Sequence, residues 1–131
     1  PNTKFSNPIK NFYFNYIKRQ NPYSLEAVND LLKKFKDNTS LIKGNSNILL
    51  KKINMSKIDY VFLDGGHDYL TVKNDLICCR EVIVNGGTVL CDDYDLSYAP
   101  GVKKAIDEFV SLNSFRCLIL CNDRFAKIEK N

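Results

Sequence analysis

The sequence predicts an α/β protein: a mostly parallel sheet with helices on both faces and a C-terminal antiparallel hairpin. Three observations carry that expectation. Residues 58–63 and 88–91 are short apolar runs, the pattern of strands buried within a sheet. Apolar residues recur at helical spacing between and around those runs. Strand and helix alternate, which implies right-handed crossovers and parallel neighbours.

The first 23 residues are rich in Asn, Pro and aromatics (Phe5, Phe12, Tyr13, Phe14, Tyr16, Tyr23) and hold no sustained period. They predict an irregular segment with a short helix over 9–18. Ser24 is a natural N-cap, and Glu26 falls in the first turn near the positive end of the helix dipole. Leu25, Val28, Leu31, Leu32 and Phe35 then share one face of a helix over 25–37, ended by Asp37-Asn38. Residues 39–43 read as a short strand and Gly44-Asn45-Ser46 as a turn. Residues 47–54 read as a short helix with Ile48, Leu49 and Ile53 inward.

After the strand at 58–63, Val72, Leu76, Cys79 and Ile83 mark the inner face of a helix. Asn85-Gly86-Gly87 should stop it, because glycine accepts the left-handed cap conformation. The strand 88–91 follows. Pro100 suits the first turn of the next helix, whose inner face is Val102, Ala105, Ile106, Phe109 and Val110. Residues 115–121 and 124–129, joined by Asn122-Asp123, read as a hairpin. No repeat, linker or low-complexity tract intervenes. Residues 1–131 are therefore read as a single partial domain, irregular over 1–23 and an α/β core over 24–131.

A chain of 131 residues is long enough to bury a core. Its net charge of +4 is mild and spread as lysines along helices, as in Lys33, Lys34, Lys36, Lys103 and Lys104. That is a solvated face rather than a nucleic-acid surface. No run is long and apolar enough to span a membrane, and no signal peptide is expected. Cys78, Cys79, Cys91, Cys117 and Cys121 lie in apolar segments without C-x-x-C spacing. They predict buried free thiols in the reducing cytoplasm, not disulfides or a zinc site. The sequence starts at Pro1 rather than Met, so it is expected to begin partway through a longer protein.

The chemistry concentrates where the two strands end. One runs into Asp64-Gly65-Gly66-His67, which holds the only histidine, and the other into Asp92-Asp93. In open α/β sheets ligands bind at the carboxyl ends of strands. Three carboxylates gathered there repel unless something neutralises them. A hard cation such as Mg²⁺ with oxygen ligands would do so, making Asp64, Asp92 and Asp93 candidate metal ligands. Bound to a substrate hydroxyl, the ion would lower its pKa. His67 is the natural general base, since an unperturbed imidazole titrates near neutrality. Gly65-Gly66 let backbone approach a ligand closely.

The stretches IDYVFLDGGHDYLTVKNDL, GGTVLCDDYD and PGVKKAIDEFV resemble the class I S-adenosylmethionine-dependent methyltransferases, small-molecule O-methyltransferases of the macrocin O-methyltransferase type in particular. The likeness covers roughly residues 39–130, the C-terminal portion of that Rossmann-like fold. It implies an enzyme that uses S-adenosylmethionine to methylate a hydroxyl of a small molecule such as a sugar or glycosylated metabolite. Relatives with a metal use acids at these two strand ends. The resemblance also places Asn45 and Ser46 against the adenine, with Asp64 and Gly65 lining the cofactor pocket.

The family's glycine-rich first motif has no counterpart here. The resemblance therefore implies an N-terminally incomplete fold that binds the cofactor weakly or not at all on its own. In such a fold the strand at 39–43 would be separated from that at 58–63. Asp75 reads as a solvated helix acid, and Phe12, Tyr13, Phe14 and Tyr16 as core packing, with a lid as the alternative. Partners are limited to a small hydroxylated substrate, without nucleic acid or membrane, and with homo-oligomerisation left open. Two rival functions stand: a non-catalytic module that keeps the fold, and a metal-dependent hydroxylase or hydrolase built on it.

Overall fold

Caps and apolar spacing set most of the elements. The computed structural model describes residues 7–18, 21, 24–53 and 57–131. The chain forms two compact units, Pro1–Lys43 and Gly44–Asn131.

In the first unit, Asn7 caps helix α1 (Pro8–Phe12), its side chain accepting from the amide of Ile9 at 2.9 Å. The chain continues as a π-helical turn over Tyr13–Lys18. Phe12 and Tyr16 stack on each other at 5.2 Å yet stay exposed, so these aromatics are not the core packing expected of them. Phe5 and Tyr23 lie outside the described residues. Ser24 caps α2 (Leu25–Leu32) as expected, accepting from the Ala27 amide at 3.1 Å. The helix then tightens into a 3-10 turn over Lys33–Phe35.

The strand expected at 39–43 does not form. A strand needs a ladder partner for its backbone groups, and this segment has none among the described residues. The Thr39 hydroxyl instead donates to the Phe35 carbonyl at 2.9 Å.

The second unit is the α/β core, and it begins at Gly44 rather than at residue 24. Asn45 caps a one-turn helix, α3 (Ser46–Leu49), shorter than the expected 47–54. Four strands follow: β1 (Ile58–Leu63), β2 (Ile83–Cys91), β3 (Phe115–Leu120) and β4 (Phe125–Lys130). Their order across the sheet is β1-β2-β4-β3. β1 and β2 are parallel, and the hairpin adds β4 antiparallel to β2. Helix α4 (Tyr69–Val82) connects the parallel pair, and α5 (Pro100–Leu112) leads to the hairpin.

One boundary differs from expectation. The Asn85-Gly86-Gly87 stretch does not cap α4; the helix ends at Val82 and the strand starts at Ile83. β-branched Ile83 and Val84 favour the extended state, and Ile83 pairs with Ile58. Gly86, at φ +77°, sits within β2 near a register shift against β1.

The core is one face of the sheet under two helices. Val89, Cys91, Ala126 and Ile128 from the strands meet Leu76 and Cys79 from α4 and Val102, Ile106 and Phe109 from α5. Lys73 of α4 bonds Glu108 of α5 at 2.6 Å and so ties the helices to each other. Among the described residues the expected cover is present on that face only. Tyr60 and Phe62, which alternate with the inward Val61 and Leu63, are 55% and 49% exposed. All five cysteines are free, as expected, but Cys117 and Cys121 are exposed rather than buried. Burial pushes the Cys79 thiol up to about 12, so this thiol is an inert core group.

Candidate active site

β1 and β2 end level with each other, because Leu63 pairs with Cys91 and the Asp92 amide donates to the Leu63 carbonyl at 2.9 Å. That register brings the two acidic segments together. Asp64, Gly65, Gly66, His67, Asp75, Asp92 and Asp93 line one crevice of about 20 Å³, room for about one water-sized group. Every residue of the expected catalytic and acidic set is therefore in one place. Asn45 and Ser46 do not line the crevice.

His67 Nε2 lies 3.0 Å from Asp93 Oδ2, and the Tyr98 hydroxyl donates to Asp93 Oδ1 at 2.7 Å. The His67 and Tyr98 rings lie 5.6 Å apart. Asp93 is buried and left-handed, at φ +59°. Its amide donates to Asp92 Oδ1 at 2.8 Å. An ionised Asp93 keeps the imidazole proton on Nε2 and leaves Nδ1 free to accept another. Hydrogen bonding to Asp93 also pushes the Tyr98 hydroxyl up, so it stays a donor. Asp92 faces a different partner: Arg124 forks onto it, Nε to Oδ1 at 2.9 Å and Nη2 to Oδ2 at 3.1 Å. That guanidinium holds the Asp92 carboxyl below the usual range.

These contacts bear on the expected Mg²⁺. Asp92 and Asp93 each have both oxygens engaged, and Asp64 alone has no partner among the described residues. No group of three or more His, Cys, Asp or Glu side chains among the described residues is spaced to hold an ion. As it stands, this donor set does not fit a divalent cation, which needs several open oxygens around it.

Two buried acceptors in this unit remain unfilled among the described residues. Asp75 is 6% exposed, and its Oδ1 has no partner. Asn47 Oδ1 is a second buried acceptor without a donor. Gly65 stands clear, since a Cβ there would meet only Asp75 Oδ2 at 3.8 Å. The unfilled Asp75 oxygen beside an open glycine suits a ligand that brings an N–H or O–H donor.

The sequence reading missed three residues. Asp75, expected as a solvated helix acid, falls on the stripe Val72, Leu76, Cys79 that faces the core. Arg124 was read only as the start of a strand. Continuing the register past Cys91 and Ala126 sets it opposite Asp93, and the Tyr94 amide donates to its carbonyl at 2.8 Å. Tyr98 had no local signal.

Burial pushes the Asp75 carboxyl up. A raised folded-state pKa means that stability falls as pH rises from the ordinary carboxylate range through the raised value. Asp75→Asn is expected to remove that loss and to stabilise the protein at neutral pH by about 1 kcal/mol. Thermal midpoints of both proteins across pH would check this; a wild-type midpoint that rises with pH in step with the variant's contradicts it.

The second unit is an open α/β unit with a histidine, acids and a glycine loop at its strand ends. The sequence profile of a family described as a methyltransferase domain matches residues 10–94, and the chain belongs to that family. Solved structures agree in fold. CalS11, a TDP-rhamnose 3'-O-methyltransferase of calicheamicin biosynthesis, is similar at TM-score 0.56 and 20% identity, over 68% of this chain and 40% of that one. The O-methyltransferase NovP is similar at TM-score 0.67 and 18% identity, over 82% and 45%. A Clostridium thermocellum protein assigned as an rRNA-methylase is similar at 0.59 and 20%, over 82% and 68%. Such identities show the fold alone.

By sequence, the uncharacterized protein R132 of Acanthamoeba polyphaga mimivirus is 36% identical over 55 residues, 41% of this chain and 25% of that one. The chain thus spans a quarter of R132 and under half of CalS11 and NovP.

Proposed function

We propose that this chain is the C-terminal portion of an S-adenosylmethionine-dependent O-methyltransferase, one partial domain acting on a hydroxyl of a small molecule. The observation that carries the reading is the His67–Asp93 pair beside an open glycine loop at the ends of β1 and β2. CalS11 methylates a TDP-sugar, which makes a sugar or glycosylated metabolite the first acceptor class to try. Free thiols favour a reducing, cytoplasmic setting.

Asn45, Ser46, Asp64 and Gly65 would hold the cofactor, with Asp75 offering its free oxygen. When bound, S-adenosylmethionine supplies an electrophilic methyl on a sulfonium and leaves as S-adenosylhomocysteine. His67 accepts the acceptor's hydroxyl proton at Nδ1 as the oxygen–methyl bond forms. Asp93 holds the ring and stabilises the imidazolium that results, and Tyr98 holds Asp93. Positioning and this one proton transfer are the protein's share of the catalysis. The metal assistance expected from Asp64, Asp92 and Asp93 has no set of free carboxylates behind it, and no step here depends on it.

The reading is tested on the longest native protein that carries these residues, incubated with methyl-labelled S-adenosylmethionine and TDP-rhamnose, other nucleotide sugars or ribosomal RNA. Label in a sugar hydroxyl, with S-adenosylhomocysteine formed, is the expected result. Label in RNA alone would overturn the small-molecule assignment, and label nowhere would favour the non-catalytic module.

A further inference from the structure

We propose that Arg124 is the resident cation of this crevice, occupying on Asp92 the place a divalent ion would take. The geometry is specific. The guanidinium meets both Asp92 oxygens, at 2.9 and 3.1 Å. A forked pair of this kind is among the stronger charge-assisted contacts.

The backbone delivers the arginine there. Cys121, Asn122 and Asp123 are three consecutive non-glycine residues in the left-handed region, at φ +54°, +52° and +64°. Such a run is costly, and it turns the chain so that Arg124 faces the ends of β1 and β2. Backbone bonds from Tyr94 to the Arg124 carbonyl, 2.8 Å, and from Asp95 to the Asp123 carbonyl, 2.9 Å, fasten the turn to the acidic loop. The guanidinium also lies 5.2 Å from the Phe125 ring centroid.

Arginine and a divalent ion neutralise acids differently. Mg²⁺ would keep open positions for a substrate oxygen. A guanidinium has donors only and cannot withdraw charge through a coordinate bond. Arg124 therefore orders the acids rather than activating the acceptor. It fixes Asp92, whose Oδ1 takes the Asp93 amide, and Asp93 in turn holds His67. This makes Arg124 a positioning residue. The consequence for turnover rests on the methyltransferase reading, whereas the cation assignment does not.

The test is Mn²⁺ binding, followed by loss of the free-ion electron paramagnetic resonance signal. Wild-type protein is expected to show no saturable binding in the submillimolar range. Arg124→Gln is expected to gain a site at least about tenfold tighter than any in wild type. Asp64→Asn placed on top of Arg124→Gln should remove the gain. Circular dichroism checks that each variant is folded, and Arg124→Lys serves if Arg124→Gln is not, with the same gain expected in weaker form. Saturable submillimolar binding by wild type overturns the proposal, and so does a folded variant that gains none. Where methyl transfer is detectable, wild-type turnover should survive EDTA. Loss in EDTA restored by Mg²⁺ would also overturn the proposal. An absence of turnover would count against the enzyme reading and leave the Mn²⁺ result to decide this one.

Discussion

In the full-length enzyme, His67→Ala is expected to lower turnover by roughly 10²–10⁴-fold, the span usual for loss of a general base. The KM for S-adenosylmethionine should barely change. His67 stands at the crevice with Nε2 on Asp93, 3.0 Å away, and its proposed work is on the acceptor's proton rather than on the adenosyl group. Asp93→Asn should imitate most of the loss with the imidazole still present. An amide can donate to Nε2, which would put the ring proton on Nδ1 where the substrate proton must go. Steady-state kinetics of the three proteins would check this pair. A His67→Ala enzyme near the wild-type rate would leave the histidine a structural role only.

Gly101→Ala is expected to cost both stability and rate. Alanine in a helix normally gains about 1 kcal/mol over glycine. Here a Cβ would fall 2.5 Å from the His67 carbonyl oxygen and closer still to the Tyr69 amide nitrogen. Both are backbone atoms and cannot rotate away. Overpacking of this kind costs about 3 kcal/mol, so the clash outweighs the propensity gain. The only relief is to move α5 or the His67 loop. A loop shift of about 1 Å would cost on the order of 10²-fold in rate. Gly101→Ala should therefore lower the thermal midpoint and, in the folded fraction, kcat. A variant with wild-type midpoint and rate would mean that this close approach does not position His67.

What the sequence revealed and what it hid follow from how local each signal was. β1 and the 88–91 part of β2 were legible because each is a short apolar run, and the acids that end each run are adjacent in sequence to it. Once those strands were paired in parallel, Asp64, His67, Asp92 and Asp93 had to meet. The Ser24 cap and Pro100 at the first helical position were equally local. The segment 39–43 misled because β propensity says nothing about a partner strand. Gly86-Gly87 misled because a glycine pair marks a helix end and an irregular strand alike. Asp75 was hidden by its polarity, although its neighbours at helical spacing are core residues. Arg124 was hidden by distance, since only the antiparallel register of β2 and β4 brings residue 124 to residues 92 and 93. Thus the meeting of His67 with the acids was readable from the strand ends. The group that neutralises the acids was not, because it comes from the far end of the hairpin.

The central claim is that the ends of β1 and β2 form a methyl-transfer site. The most direct measurement is a ¹⁵N–¹H spectrum of the labelled protein titrated with S-adenosylhomocysteine into the millimolar range. The account predicts weak, saturable binding in which the amides of Ser46, Asp64, Gly65, Gly66 and His67 move together while those of β3 stay still. Unmoved amides at the strand ends, or a saturable response confined to another part of the chain, would contradict it.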